Sequence, residues 1–244
     1  MRVLIFLYGL ISYVLFLPVF VYAIGFVGGI AVPKAIDDGE VGSLMTAILI
    51  NAGLLTVFAV QHTIMARPAF KDRWTKVIPE AAERSTFVMV TNILFIVLYW
   101  QWRPMPDVVW SVDGVMATVI LAVFAAGWAI VLLATFMIDH FDLFGMRQVT
   151  LYLQGKPYTP PRYVEHFLYR WVRHPIMLGF IIAFWAAPEM SQGRLLFAAM
   201  STAYAVVGVH IEERDLVKVH GDGYRSYQKR VSMLLPFPKG KSAS

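Results

Sequence analysis

The side chains best suited to chemistry are concentrated in the C-terminal third of the chain. Arg173-His174-Pro175 precedes an apolar segment, and Pro175 fits the first turn of a helix because it lacks an N–H and has a fixed φ. His174 would cap this helix, whose first N–H groups, together with Arg173, favour an anion such as a carboxylate. Glu212-Glu213 closes a later apolar segment. Because a helix C-terminus disfavours negative charge, we expect donors or a cation to face these carboxylates.

A second set of polar side chains lies at the ends of two earlier apolar segments. Asp139, His140 and Asp142 follow one of them, and His62 lies near the end of another. A histidine beside a carboxylate can take up a proton near neutral pH, so these residues are candidates for acid–base chemistry. The alternative is that they are solvated neighbours of lipid headgroups. The histidine spacings contain no metal-binding signature, and we expect no metal.

The composition indicates an integral membrane protein. The 244 residues are 58% hydrophobic and 15% charged, with a mean hydropathy of +0.62, which leaves too little polar surface for a soluble globule. Cysteine is absent, which excludes a thiolate nucleophile and a cysteine metal site. The pI near 9.4 comes from basic residues beside apolar segments, which indicates contact with anionic lipid rather than nucleic acid.

The apolar segments predict an all-α, polytopic membrane protein with five to six transmembrane helices, of which the last two form a short helical hairpin. A cytosolic amphipathic segment is expected to follow them. We expect one domain over 1–244, with residues 1–138 forming a four-span scaffold and residues 139–236 forming the functional core. A span needs about 20 apolar residues. The predicted spans are 3–28, 42–66, 85–102, 114–138, 174–188 and 195–211.

The distribution of basic residues predicts the orientation of these spans. With a cytoplasmic N-terminus, the inside carries 18 of the 21 Lys and Arg residues, and the outside keeps only Lys34, Arg103 and Arg194. Both termini are therefore expected to be cytoplasmic. In this topology both sets of polar residues lie at the cytoplasmic boundary, so we expect them to share one pocket that opens to the cytosol.

Several of these motifs resemble those of a known superfamily. The pattern Arg173-His174-Pro-x-x-x-Gly179, then Glu212-Glu213, then Gly223-x-x-x-Tyr227 is similar to the C-terminal core of the isoprenylcysteine carboxyl methyltransferase superfamily. The stretches at residues 61–68, 83–87 and 139–148 resemble its nurim-like branch, in particular the bacterial members that methylate methanethiol. The resemblance covers most of the chain.

The resemblance implies methyl transfer from S-adenosylmethionine to methanethiol, which gives dimethyl sulfide and S-adenosylhomocysteine. It implies a bacterial inner-membrane enzyme with membrane lipids around it and no obligate protein partner. The thiol must lose a proton. His140 with Asp142 or Asp139 is the first candidate for the base, and His62 is the second. The candidate cofactor-binding residues are Arg173, His174, Gly179, Glu212, Glu213, Tyr224 and Arg230.

Other interpretations of these residues stay open at this point. Gly179 could admit an adenine ring or allow close helix packing. Tyr224 and Arg230 could contact the cofactor or belong to a tail helix lying on lipid headgroups. The substrate could also be a larger lipid or a prenylated cysteine. A third alternative is a non-catalytic scaffold of the nurim type.

Overall fold

The computed structural model describes residues 1–160 and 165–236 and is predominantly helical, as predicted. A 3₁₀ turn over Phe167–Arg170 precedes the eighth helix. The helices and strands are α1 (Arg2–Gly28), α2 (Leu44–Met65), α3 (Pro68–Trp74), α4 (Glu80–Gln101), β1 (Val108–Ser111), α5 (Gly114–Ile138), α6 (His140–Leu143), α7 (Met146–Leu153), α8 (Pro175–Trp185), β2 (Glu189–Ser191), α9 (Gln192–His220) and α10 (Asp222–Arg230).

Five of the described helices are long and apolar enough to cross a membrane, namely α1, α2, α4, α5 and α9. Many of their large apolar side chains are exposed, as expected for helices that face lipid. The predicted span at 174–188 is shorter than expected, because α8 has only 11 residues and extends about 16 Å, against roughly 30 Å of hydrocarbon. Pro188 explains why the helix does not reach the predicted end at 188, since the residue before a proline disfavours helical geometry.

Helix α9 is longer than the predicted span. It continues to His220, so Glu212 and Glu213 lie within the helix and not at its C-terminus. The expectation that the helix dipole disfavours them was therefore wrong. With 29 residues α9 extends about 43 Å, so its charged last turns reach beyond the hydrocarbon.

The described chain divides into two compact units. The first comprises Met1–Ser111, residues 139–160 and Glu189–Phe197. In it α1 packs against α4 and α7, α2 packs against α4, and β1 pairs with β2 in antiparallel fashion. This two-stranded sheet was not predicted, although Val108, Val109 and Trp110 favour a strand.

The second unit comprises Val112–Ile138, residues 165–188 and residues 198–236, and its main helix contact joins α5 to α8. The predicted amphipathic segment is the helix α10. Its Tyr224 and Tyr227 are buried beside Val231, against Leu216 and Val217 of α9. These two rings therefore pack into protein and do not themselves reach the headgroups.

Candidate functional site

A buried ion pair stands at the start of α8 in the second unit. His174 is the N-cap of α8 and Pro175 occupies its first turn, as predicted. The Arg173 guanidinium donates Nε–H to Glu213 Oε1 at 2.5 Å and Nη2–H to Oε2 at 3.0 Å. The cation expected to face the glutamates is thus Arg173, in the bidentate geometry that makes such pairs strong.

Three further side chains converge on the Glu213 carboxylate. His174 Nε2 lies 3.1 Å from Oε1, the Tyr224 hydroxyl donates to Oε1 at 3.4 Å, and Gln228 Nε2 donates to Oε2 at 2.9 Å. Glu213 is only 7% exposed. A buried charge is tolerated when it is paired and its remaining lone pairs accept hydrogen bonds, and Glu213 meets both conditions.

The segment after α10 completes this cluster through its backbone. Arg173 Nη1 donates to the carbonyls of Gln228 and Val231. The Arg173 N–H donates to Ser232 O at 2.9 Å, and the His174 N–H donates to Met233 O at 3.2 Å. The C-terminal segment therefore fixes both the side chain and the backbone at the start of α8. We call Arg173, His174, Glu213, Tyr224 and Gln228 the Glu213 cluster.

Glu212 differs from Glu213 in its exposure. Its side chain is 49% exposed, and its Oε2 lies 3.8 Å from His174 Nδ1. His174 thus stands between an exposed and a buried carboxylate. Burial and then the Glu213 charge raise the pKa of Tyr224, which keeps its hydroxyl protonated as a donor.

Gly179 and Arg230 are cofactor candidates whose contacts are with residues outside the Glu213 cluster. A Cβ at Gly179 would meet Gly127 O at 2.7 Å and the Val131 side chain at 2.8 Å, both on α5. Its missing side chain therefore makes room for a helix, which is the packing alternative, rather than for an adenine ring. Arg230 Nη2 donates to Glu165 Oε2 at 2.9 Å, and its side chain is 62% exposed.

The catalytic candidates lie in the first unit, where α6 follows α5. Asp139 caps α6 by accepting the Asp142 N–H at 3.0 Å. His140 is 5% exposed, and its Nε2 lies 3.0 Å from the hydroxyl of Tyr13 on α1. Burial lowers the pKa of His140, and the charge of Asp139 opposes this shift. His140 is therefore neutral at pH 7, the form that can accept a proton.

Asp142 is held by residues that follow it in the chain. Arg147 Nη1 donates to its Oδ1 at 3.0 Å, and the Tyr158 hydroxyl donates to its Oδ2 at 3.2 Å. Burial and the Asp142 charge raise the pKa of Tyr158 to about 12. His62 has a different environment, since it packs on Phe87 with a centroid distance of 4.6 Å.

Sequence reasoning missed Tyr13, Tyr158 and Gln228 as partners of the predicted residues. Tyr13 is separated from His140 by 127 positions, and no local pattern links the two. Within residues 1–160 and 165–236, no group of three or more His, Asp or Glu side chains is arranged to hold a metal. The four catalytic candidates belong to the first unit and the seven cofactor-binding candidates to the second. The single pocket expected from the sequence stays a prediction.

These features define a polytopic helical membrane protein with an ionic cluster beside a short apolar helix. The NnrU protein family model matches residues 49–234, and the chain belongs to this family. The nurim-like resemblance is thereby confirmed.

Several curated proteins are similar to the chain. A Mycobacterium tuberculosis protein named methanethiol S-methyltransferase is 52% identical over 238 residues, which cover 97% of this chain and 98% of that protein. Methanethiol S-methyltransferase 1 of Bradyrhizobium diazoefficiens is 52% identical over 233 residues, 95% of this chain and 82% of that protein. Rat Nurim is 25% identical over 212 residues, 82% of this chain and 78% of that protein. No solved structure matches the chain significantly.

Proposed function

We propose that the protein is an S-adenosylmethionine-dependent methyltransferase that converts methanethiol to dimethyl sulfide. The observation that carries this proposal is the similarity to the Mycobacterium tuberculosis protein, which is 52% identical over nearly the whole of both chains and is named for that reaction. The Glu213 cluster adds support, because a buried ion pair in a membrane protein is expensive and is typical of a functional site.

The polar side chains of the second unit are chemically suited to bind the polar groups of S-adenosylmethionine. When bound, this molecule would supply an electrophilic methyl group on a sulfonium sulfur. The half-exposed carboxylate of Glu212 would accept hydrogen bonds from the ribose hydroxyls or the amino group. His174, whose Nδ1 lies 3.8 Å from Glu212 Oε2, borders the same proposed binding position.

The remaining cofactor candidates take more specific roles in this proposal. Arg173 is engaged with Glu213 and two backbone carbonyls, so it acts as a positioning residue, together with Glu213 and Tyr224. Arg230 is the cation proposed to meet the cofactor's carboxylate, because its side chain is largely exposed; the carboxylate would join or replace Glu165 as its partner. The helix-packing role of Gly179 does not require contact with the cofactor.

His140 is the proposed base. It is buried and neutral at pH 7, and the carboxylate of Asp139 favours the charge that it gains when it takes the thiol proton. Asp142 holds α6 in position through Arg147 and Tyr158. His62 is the second candidate. A buried setting favours the reaction, because a thiolate and a sulfonium lose their opposite charges as the new bond forms.

We place the enzyme in a bacterial inner membrane with both termini in the cytoplasm, as the basic residues indicate. Residues 139–236 are proposed as the functional core and residues 1–138 as the scaffold. Methanethiol is small and soluble in lipid, so the surrounding membrane would not exclude it.

The test is a headspace assay for dimethyl sulfide with purified protein, methanethiol and S-adenosylmethionine. Calorimetry with S-adenosylhomocysteine on the same sample measures cofactor binding separately. We expect saturable binding and formation of dimethyl sulfide. Binding without any methylation of thiols would favour the scaffold alternative, and methylation of a prenylated cysteine alone would favour the larger substrate.

A further inference from the structure

Helix α1 places one polar group beside the proposed base. The helix is strongly apolar, and a half-buried tyrosine hydroxyl in such a helix favours a hydrogen-bond partner. The Tyr13 hydroxyl lies 3.0 Å from His140 Nε2. The two rings meet edge to face, with centroids 5.8 Å apart and planes inclined at 83°.

Three phenylalanine rings lie against the Tyr13 ring. The centroid of Tyr13 lies 6.3 Å from Phe16, 6.0 Å from Phe141 and 6.2 Å from Phe144. Phe16 and Phe144 also stack on each other at 4.0 Å. Packed aromatic rings lower the local dielectric constant, and a hydrogen bond in such a medium is strengthened. The Tyr13 hydroxyl therefore makes a directed polar contact to the imidazole beside these rings.

We propose that Tyr13 is a positioning residue that fixes the orientation and the tautomer of the His140 ring for removal of the thiol proton. The proposal rests on the proposed function, in which His140 is the base. The hydrogen bond at Nε2 decides which ring nitrogen carries the proton in the neutral imidazole. In the step proposed, His140 Nε2–H donates to the Tyr13 hydroxyl oxygen, so that Nδ1 is the basic nitrogen. The S–H bond of the thiol breaks, its electron pair stays on sulfur and the proton passes to Nδ1.

Groups from two elements act on this imidazole. Tyr13 reaches it from α1, and the charge of Asp139 acts on it from the preceding position. Asp142, on the same helical turn, is paired with Arg147 of α7. Removal of the Tyr13 hydroxyl therefore leaves the nearby charges in place, so that a changed pH profile reports on the lost hydrogen bond.

Tyr13→Phe is the test variant, and Tyr8→Phe is its matched control. Tyr8 lies on the same helix and donates its hydroxyl to Thr86 Oγ1 at 3.2 Å, away from His140. We expect Tyr13→Phe to lower kcat about tenfold, the scale of one lost hydrogen bond, and to shift the acid limb of the pH profile. KM for both substrates should stay within about twofold, and Tyr8→Phe should match the unmodified enzyme. In a His140→Gln background, Tyr13→Phe should cause no further loss.

A second readout does not depend on activity. Nitrogen-15 spectra of the histidine rings report the tautomer directly, and His140→Gln identifies the His140 signal among the 6 histidines. We expect Tyr13→Phe to change the tautomer ratio of His140 and Tyr8→Phe to leave it unchanged. An unchanged tautomer overturns the positioning role even if no dimethyl sulfide forms. An altered tautomer with an unchanged kcat in an active enzyme overturns its use in catalysis. If the unmodified protein forms no dimethyl sulfide, the proposed function fails separately.

Discussion

Removal of the Arg173 guanidinium tests whether the Glu213 cluster holds the second unit together. Arg173→Met keeps most of the side-chain volume but leaves a 7% exposed carboxylate without its cation. It also removes the donor to the Gln228 and Val231 carbonyls. Breaking a buried pair on one side costs about 3–5 kcal/mol, because the remaining charge stays desolvated. A domain of 150–250 residues loses roughly 2–4 °C in Tm per kcal/mol, so we expect a decrease of roughly 6–20 °C.

The assay heats each variant in detergent and measures the temperature at which half of the monodisperse protein is lost. Two further variants serve as comparisons. Lys218→Ala is the control, because Lys218 pairs with Asp215 on the same helix while its side chain is 76% exposed, and such a pair contributes little. Its Tm should change by less than about 2 °C. Arg173→Met combined with Glu213→Leu should recover part of the loss, since no unpaired charge remains. A decrease for Arg173→Met no larger than for the control, or a double variant less stable than Arg173→Met, would refute the reasoning.

Three further predictions follow from the site. Glu212→Gln should weaken S-adenosylhomocysteine binding in calorimetry at least tenfold with an unchanged Tm; an unchanged affinity would contradict the binding role of Glu212. His140→Gln should lower kcat by about 10²–10⁴ while S-adenosylhomocysteine still binds, and a normal kcat would exclude it as the base. Because the pKa of His140 is lowered, the unfolded state takes up its proton first, so stability measured by chemical unfolding should fall as pH decreases below about 6.5. His140→Gln should reduce this pH dependence of stability. An equal dependence in both proteins would show that His140 is not its source.

The helix ends that depend on local chemistry could be predicted from the sequence. Pro175 and His174 define the start of α8 through the fixed φ and missing N–H of proline, and the structure has this start at the predicted residue. The end of α9 was predicted nine residues too early, at 211 instead of His220. The error came from treating Glu212 and Glu213 as a boundary. A cation from a distant part of the chain pairs with Glu213, and sequence periodicity contains no information about that partner.

Contacts between residues close in sequence could be predicted, whereas contacts between distant residues could not. The capping of α6 by Asp139 is local, since it joins residues three positions apart. The contact between Tyr13 and His140 joins the apolar helix α1 to the short helix α6 far along the chain, and the composition of α1 gives no sign of it. The burial of Tyr224 likewise depends on the apolar face that α9 presents to α10.

The two adjacent glutamates of α9 differ in role: Glu213 is held in a buried ion pair, and Glu212 is the residue proposed to bind the cofactor. Successive residues on a helix point about 100° apart, so an inward Glu213 determines where Glu212 points. Arg173, Tyr224 and Gln228 hold Glu213 inward, and Glu212 is consequently left half-exposed beside His174. A hydrophobic pair could stabilise the same packing at lower desolvation cost, but it would offer no polar contacts to set this orientation. The buried ion pair is therefore better explained by the placement of the exposed carboxylate than by the stability it adds.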